Sequence, residues 1–224
     1  HKRLARLLKV NKKRVLRVMK RFGIKPYRRR GRKYRKFKKN KEFLYPNLLI
    51  DNMPSYPGHI WASDFTRICF HGKVIYLATV LDIFSREIMG WSVMTGHGVQ
   101  LVMQCLISGI SYRAKPEIIH SDQGSEYTSA IYTSLISMLG IKQSMSHKGS
   151  PWENGYQESF YNQFKIDLGD PNRFGNLGEL IAAIHETIYI YNTDRIHTKL
   201  KMPPRQYAIL NSLIQDTQKN GGGV

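Results

Sequence analysis

Three carboxylates are the residues here whose type and spacing could do chemistry. Asp122, in His120-Ser121-Asp122-Gln123-Gly124, and Glu158, in Gln157-Glu158-Ser159, have thirty-five residues between them. Asp64, in Trp61-Ala62-Ser63-Asp64-Phe65-Thr66, is an acid inside a run of strand composition, where a charge is unfavourable unless something pairs it. Brought together, three such groups repel one another, and hard divalent ions with oxygen ligands, Mg²⁺ or Mn²⁺, relieve that. Two ions about 3.5–4 Å apart can clamp the attacking and leaving oxygens of an in-line phosphoryl displacement. Spacing alone does not select these acids. Glu126, Glu153 and Asp82 compete with them, and acids at strand ends or on helices more often cap or pair.

Positioning the three requires elements that converge. Residues 59–70, 74–84 and 87–94 have strand composition and short connections, which predicts an antiparallel meander. The middle run is nearly continuous and β-branched, as a central strand should be. Residues 99–114 read as a helix, 117–122 as a short buried strand ending on Asp122, 129–140 as a helix and 141–146 as a strand. A further helix over 152–168, opening just after Pro151, carries Glu158, with Asn154 one turn before it and Lys165 two turns after on the same side. Residues 177–193 and 203–214 read as the last helices. The order βββαβαβα is that of the ribonuclease H-like fold, a mixed α/β architecture with a five-stranded sheet flanked by helices.

The charge is unevenly placed. Of the +19 formal charge over 224 residues, the first 50 residues hold 21 Lys and Arg against the single acid Glu42, and the remainder is nearly neutral. So one-sided an arm points to a polyanion, with nucleic acid foremost. Residues 1–25 read as two short helices resembling part of a helix-turn-helix. Leu4, Leu7 and Leu8 face inward on the first, and Val15, Leu16, Val18, Met19 and Phe22 on the second; Asn11 caps the second helix and Gly23 stops it. Lys12, Lys13, Arg14 and Arg17 of the second helix then face DNA. Residues 26–45, with Arg28, Arg29, Arg30, Arg32 and Lys33 interleaved with aromatics, read as a basic linker suited to phosphate neutralisation. Residues 46–210 read as the globular part, and 211–224 as a flexible tail. No apolar run reaches the roughly 18 residues of a membrane helix. Two isolated cysteines make no disulfide framework or zinc site and fit a reducing cytoplasm.

Four blocks carry a family resemblance: W-x-x-D-F-T at 61–66, L-D-x-F-S-R-x-x-x-G-W at 81–91, H-S-D-Q-G-S-E-Y-T-S at 120–129 and S-x-K-G-S-P-W-E-N-G-x-x-E-S-F at 146–160. They resemble the integrase core of bacterial insertion-sequence transposases of the OrfB type, related to retroviral integrases. Y-N-T-D-R-I-H-x-x-L…P-P at 191–204 is similar to that family's C-terminal signature. The resemblance implies a D-D-E triad on Asp64, Asp122 and Glu158 with two Mg²⁺ or Mn²⁺ ions, and demotes Glu126 and Glu153. It matches Lys165 to a lysine that approaches the DNA end, Asn154 to a residue beside the metal site, and Asp82 to a recurrent aspartate outside the triad. Arg195 and His197 keep two roles open, orienting substrate or pairing the last helices. The implied activity is strand cleavage and 3′-hydroxyl transfer at insertion-sequence ends, by a dimer or larger assembly on terminal inverted repeats and target DNA near the nucleoid. A ribonuclease H-like nuclease without joining, or a non-catalytic DNA-binding regulator, would use the same residues differently.

Overall fold

The computed structural model describes residues 1–25, 45–147 and 154–220, with side chains to residue 215. The expected linker contacts Arg28, Arg29, Arg30, Arg32 and Lys33, and the rival acid Glu153, lie outside the described residues.

The meander forms as the composition predicts. β1 (Ile60–Phe70) pairs antiparallel with β2 (Lys73–Asp82), and β2 with β3 (Ile88–Met94). His71 and Gly72, both at positive φ, make the two-residue turn between Phe70 and Lys73, a geometry matched to strand twist that glycine adopts without strain. Helix α3 (Val99–Ile110) then carries the chain across the sheet, so that β4 (Ile118–Ser121) joins β1 in parallel. A single turn, α4 (Ser125–Thr128), and α5 (Ala130–Met138) lead to β5 (Lys142–Met145), parallel to β4. The sheet order is β3-β2-β1-β4-β5. Helices α6 (Gly155–Leu168), α7 (Leu177–Thr193) and α8 (Pro204–Asn220) complete the core, which is the mixed, ribonuclease H-like arrangement expected.

Period-two alternation divides the interior between the two faces of the sheet. Trp61, Ala78 and Val80 pack with Leu101, Val102 and Leu106 of α3 and Tyr132 and Ile136 of α5. Ile68, Ile75, Leu77 and Leu81 pack on the other face with Phe160, Phe164 and Leu168 of α6 and Leu180, Ile184 and Ile188 of α7. At Gly90 the strand touches helix backbone: a Cβ there would lie 2.4 Å from the Gly109 nitrogen, so α3 can sit on β3 only where side chains are absent.

Several expectations are corrected. In the N-terminal pair, α1 (Lys2–Leu7) and α2 (Lys12–Arg21), the buried side chains are Ala5, Val15 and Met19, while Leu4, Leu7, Leu8, Leu16, Val18 and Phe22 are exposed. Two helices this short cover only the strip where they cross, and the small Ala5 is what allows their close approach. Asn11 does cap α2, its Oδ1 accepting from Lys13 N at 2.8 Å, and Gly23 at positive φ follows the helix end. The described part of α6 runs from Gly155, the expected opening just after Pro151 lying outside the described residues, and α8 continues to Asn220 through part of the stretch expected as tail. Ile209, Leu210, Leu213 and Ile214 remain exposed on α8. No helix among the described residues is long and apolar enough to cross a membrane.

Candidate active site

Strand alternation sets the direction of Asp64. Trp61 and Phe65 of β1 belong to the α3 side, Ile68 and Phe70 to the α6 side, so Asp64 faces α6. β4 lies beside it in parallel, with Ala62 opposite His120. Two residues further along each chain, that register carries Asp64 level with Asp122, which follows the last residue of β4. Residues just past a strand's carboxyl end are where open α/β sheets build their sites. Asp122 Oδ1 accepts from Gly124 N at 2.9 Å, and Asp64 from Phe65 N at 2.8 Å. Glu158 stands exposed in the first turn of α6.

What holds α6 over β1 is a pair of polar side chains that the sequence motifs do not single out. Gln157, fully buried, donates through Nε2 to Ala62 O at 2.6 Å and Thr79 O at 3.1 Å. One turn on, the Tyr161 hydroxyl donates to Asp64 O at 2.6 Å. The Thr79 hydroxyl lies between them, 3.0 Å from Gln157 Oε1 and 2.8 Å from the Tyr161 oxygen. Glu158 is thereby fixed, through the residue before it and the residue three after, to the backbone around Asp64. A signal existed: Gln157 shares the apolar face of Phe160, Phe164 and Leu168, and a polar group there must have partners. Gln157→Leu should lower stability by about 2 kcal/mol, because two buried carbonyls lose their donor. Thermal unfolding reads this as a drop of several degrees, and an unchanged melting temperature would refute the anchoring role.

The electrostatics favour cations. Burial and then the neighbouring Asp122 raise the Asp64 carboxyl to about 7; Phe65 N lowers it, Glu158 raises it further and Lys165 offsets part. Asp122, open to solvent at its edge, is also raised, chiefly by the atoms packed around it, with the Gly124 amide opposing and Glu126 adding. All three acids and Lys165 therefore act on one point. They do not close on it: among the described residues no three His, Cys, Asp or Glu side chains converge into a metal cage. Asp122 and Glu158 both reach solvent, where changing rotamer costs little.

The rival acids have structural work. Glu126 is buried and 2.7 Å from His97 Nδ1. Burial pushes its carboxyl up, but the bonds from His97 and Ser125 outweigh that and leave it lowered. Asp82 accepts from Gly58 N at 3.1 Å and from Ser85 N at 2.9 Å, pinning the turn between β2 and β3. Asn154 precedes α6, buried, with no hydrogen-bond partner at Oδ1. Arg195 pairs with Asp167 of α6. Lys12, Lys13, Arg14 and Arg17 line α2, and apart from the helix's buried strip that segment faces solvent.

Sheet order, helices on both faces and acids at adjacent strands define an integrase-type core. The integrase core domain family matches residues 54–151, and a second integrase core domain family matches 139–204. The transposase for insertion sequence element IS904 of Lactococcus lactis is 34% identical over 209 residues, spanning 90% of this chain and 82% of that protein. The chain belongs to the insertion-sequence transposases of the OrfB type. Among solved structures, the simian T-cell lymphotropic virus intasome in complex with a PP2A regulatory subunit aligns with a TM-score of 0.63 at 19% identity, over 68% of this chain and 55% of that one. The HTLV-2 integrase catalytic core domain in complex with magnesium aligns at 0.53 and 22% identity, over 68% of this chain and 97% of that one. These two share the fold.

Proposed function

We propose that the chain cleaves DNA at the ends of its insertion sequence and joins the freed 3′-hydroxyl to a target phosphodiester, using Asp64, Asp122 and Glu158 as the triad. The observation that carries this reading is that Asp122, just past the end of β4, and Glu158 both act on the Asp64 carboxyl of the neighbouring strand β1, with α6 tied to the backbone around Asp64 by Gln157 and Tyr161. The donor set fits hard divalent cations: carboxylate oxygens only, with Asp64 and Asp122 both raised, first by burial and then by a neighbouring carboxylate. Asp64, Asp122 and Glu158 would hold two Mg²⁺ or Mn²⁺ ions, which supply Lewis-acid stabilisation of attacking and leaving oxygens. A magnesium complex of a fold relative is consistent with this choice.

The protein's own residues supply position. Asp64 sits on a central strand, so it cannot drift when substrate binds. Lys165, on the α6 face that also acts on Asp64, would take a phosphate of the DNA end. Asn154, one turn before Glu158, would orient the same end. Lys12, Lys13, Arg14 and Arg17 of the helical segment 1–25, and the basic residues of 26–45, would hold the terminal repeats. Two ends must meet for joining, so a dimer or larger assembly on DNA is part of the reading.

The test supplies element ends with and without a pre-cut 3′-hydroxyl, plus Mg²⁺, and follows both products. Cleavage of intact ends and joining of pre-cut ends are expected. Hydrolysis without joining would make the chain a nuclease of this fold, and binding without either would make it a regulator.

A further inference from the structure

A cavity of about 420 Å³ lies outside the carboxylate site, between the first turns of α6, the β2–β3 turn and the segment joining α7 to α8, with α1 along one side. Arg3, Arg86, Arg195, His197 and Lys199 line it, and among the described residues no carboxylate does. Arg86 is the central feature. It is 8% exposed, its guanidinium lies 4.0 Å over the Tyr156 ring, and its Nη1 has no hydrogen-bond partner. Its backbone is held at φ +66, a conformation side-chain-bearing residues seldom adopt. A buried cation with an unmet donor costs free energy, and strain of this kind persists where it has a use. His197 Nδ1 is a second buried nitrogen without a partner.

The charges around the cavity oppose one another. The His197 ring is lowered to about 4, first by burial and then by Arg86, Arg3, Arg195 and Lys199, every one of them repulsive. Arg195 has its partner in Asp167, which is not among the lining residues, and among the described residues no carboxylate in the lining offsets the other cations. Guanidinium groups in this density are suited to a phosphate, whose oxygens accept several N–H donors at once. Tyr156 and Ser159 of the wall flank Glu158 on α6, and two residues of helix rise only about 3 Å. Ser159 lies about 100° round the helix from Glu158, so the cavity sits beside the carboxylate face on the same turns of α6.

We infer that this cavity is a phosphate site that receives a backbone phosphate of bound DNA, with Arg86 as its inner donor and Arg3, Arg195 and Lys199 around it. The source of the phosphate rests on the DNA reading above. The site also gives Arg195 and His197 a role beyond pairing the last helices.

The test measures binding to a labelled duplex carrying an element end, across a salt series, in the full chain bearing Asp122→Asn and without divalent metal. Cleavage is not read, so failure of the triad chemistry leaves the outcome standing. Arg86→Gln or Lys199→Gln is expected to weaken binding several-fold and to flatten the salt dependence by about 0.9 for each phosphate no longer neutralised. In parallel, inorganic phosphate should raise the melting temperature of the parent chain and do so less in Arg86→Gln. Lys199 is exposed, so its variant carries the test if Arg86→Gln does not fold. An unchanged salt slope in the variants, with phosphate stabilising the parent and doing so less in Arg86→Gln, would assign the cavity to free phosphate and overturn the DNA assignment. No change in either measurement would overturn the site itself.

Discussion

Asp122→Asn is expected to reduce strand cleavage and joining by about 10³-fold or more, while binding to element ends stays within about twofold. The amide keeps the size of the carboxylate, and its oxygen can still accept from Gly124 N. What it removes is one negative charge that acts on Asp64, where the proposed chemistry requires a shared cation. A thousandfold corresponds to about 4 kcal/mol of transition-state stabilisation, within what a divalent ion contributes in an in-line displacement. Folding should not suffer. The Asp122 carboxyl is raised in the folded chain, so its charge opposes folding, and a neutral amide should leave the melting temperature equal or higher. Single-turnover cleavage of labelled ends, beside thermal unfolding, separates the two effects. Cleavage within tenfold of the parent would remove Asp122 from the triad.

Much of the frame is legible in the amino-acid sequence. The β-branched run at 74–84 reads as a strand inside the sheet, and it is one, whereas the register that sets β4 beside β1 comes from the structure alone. The family blocks then select among acids that spacing cannot rank, and the structure gives Glu126 and Asp82 other partners. The illegible parts depend on contacts distant in sequence. Gln157 is anchored to Ala62 and Thr79, and nothing near residue 157 names them. The exposed leucines of α1 look like a core face until the short crossing with α2 shows that only Ala5 is covered. The basic cavity draws residues from positions 3, 86, 156 and 195–199, which no local pattern connects.

In metal-free protein Asp64 is expected to take stability away as pH rises from about 4 to about 7, against an opposing gain from His197, whose ring is lowered to about 4, and Mg²⁺ is expected to restore the Asp64 loss at the upper end. Asp64 carries the largest share. Its carboxyl moves from an ordinary 3.8 to about 7 in the folded chain, so the folded state holds a proton that the unfolded chain has released. Where the folded state binds more protons, stability falls with pH. The loss begins above the unfolded value, is complete above about 7, and amounts to roughly 4 kcal/mol at most. Asp122 and Asp82 are raised too and act in the same direction. Glu126 is lowered, so its contribution is lost only as pH falls below the ordinary carboxylate range, outside this window. Ions held by the triad favour the charged form of Asp64, so Mg²⁺ should stabilise the chain far more at pH 8 than at pH 5. Denaturant unfolding in EDTA and in Mg²⁺ at both pH values measures this, with the parent expected to lose more stability, or gain less, between pH 5 and pH 8 than Asp64→Asn does in EDTA. A metal-free profile identical in the parent and Asp64→Asn, or equal Mg²⁺ stabilisation at pH 5 and pH 8, would separate the carboxylates from metal binding and leave the proposed site without its chemistry.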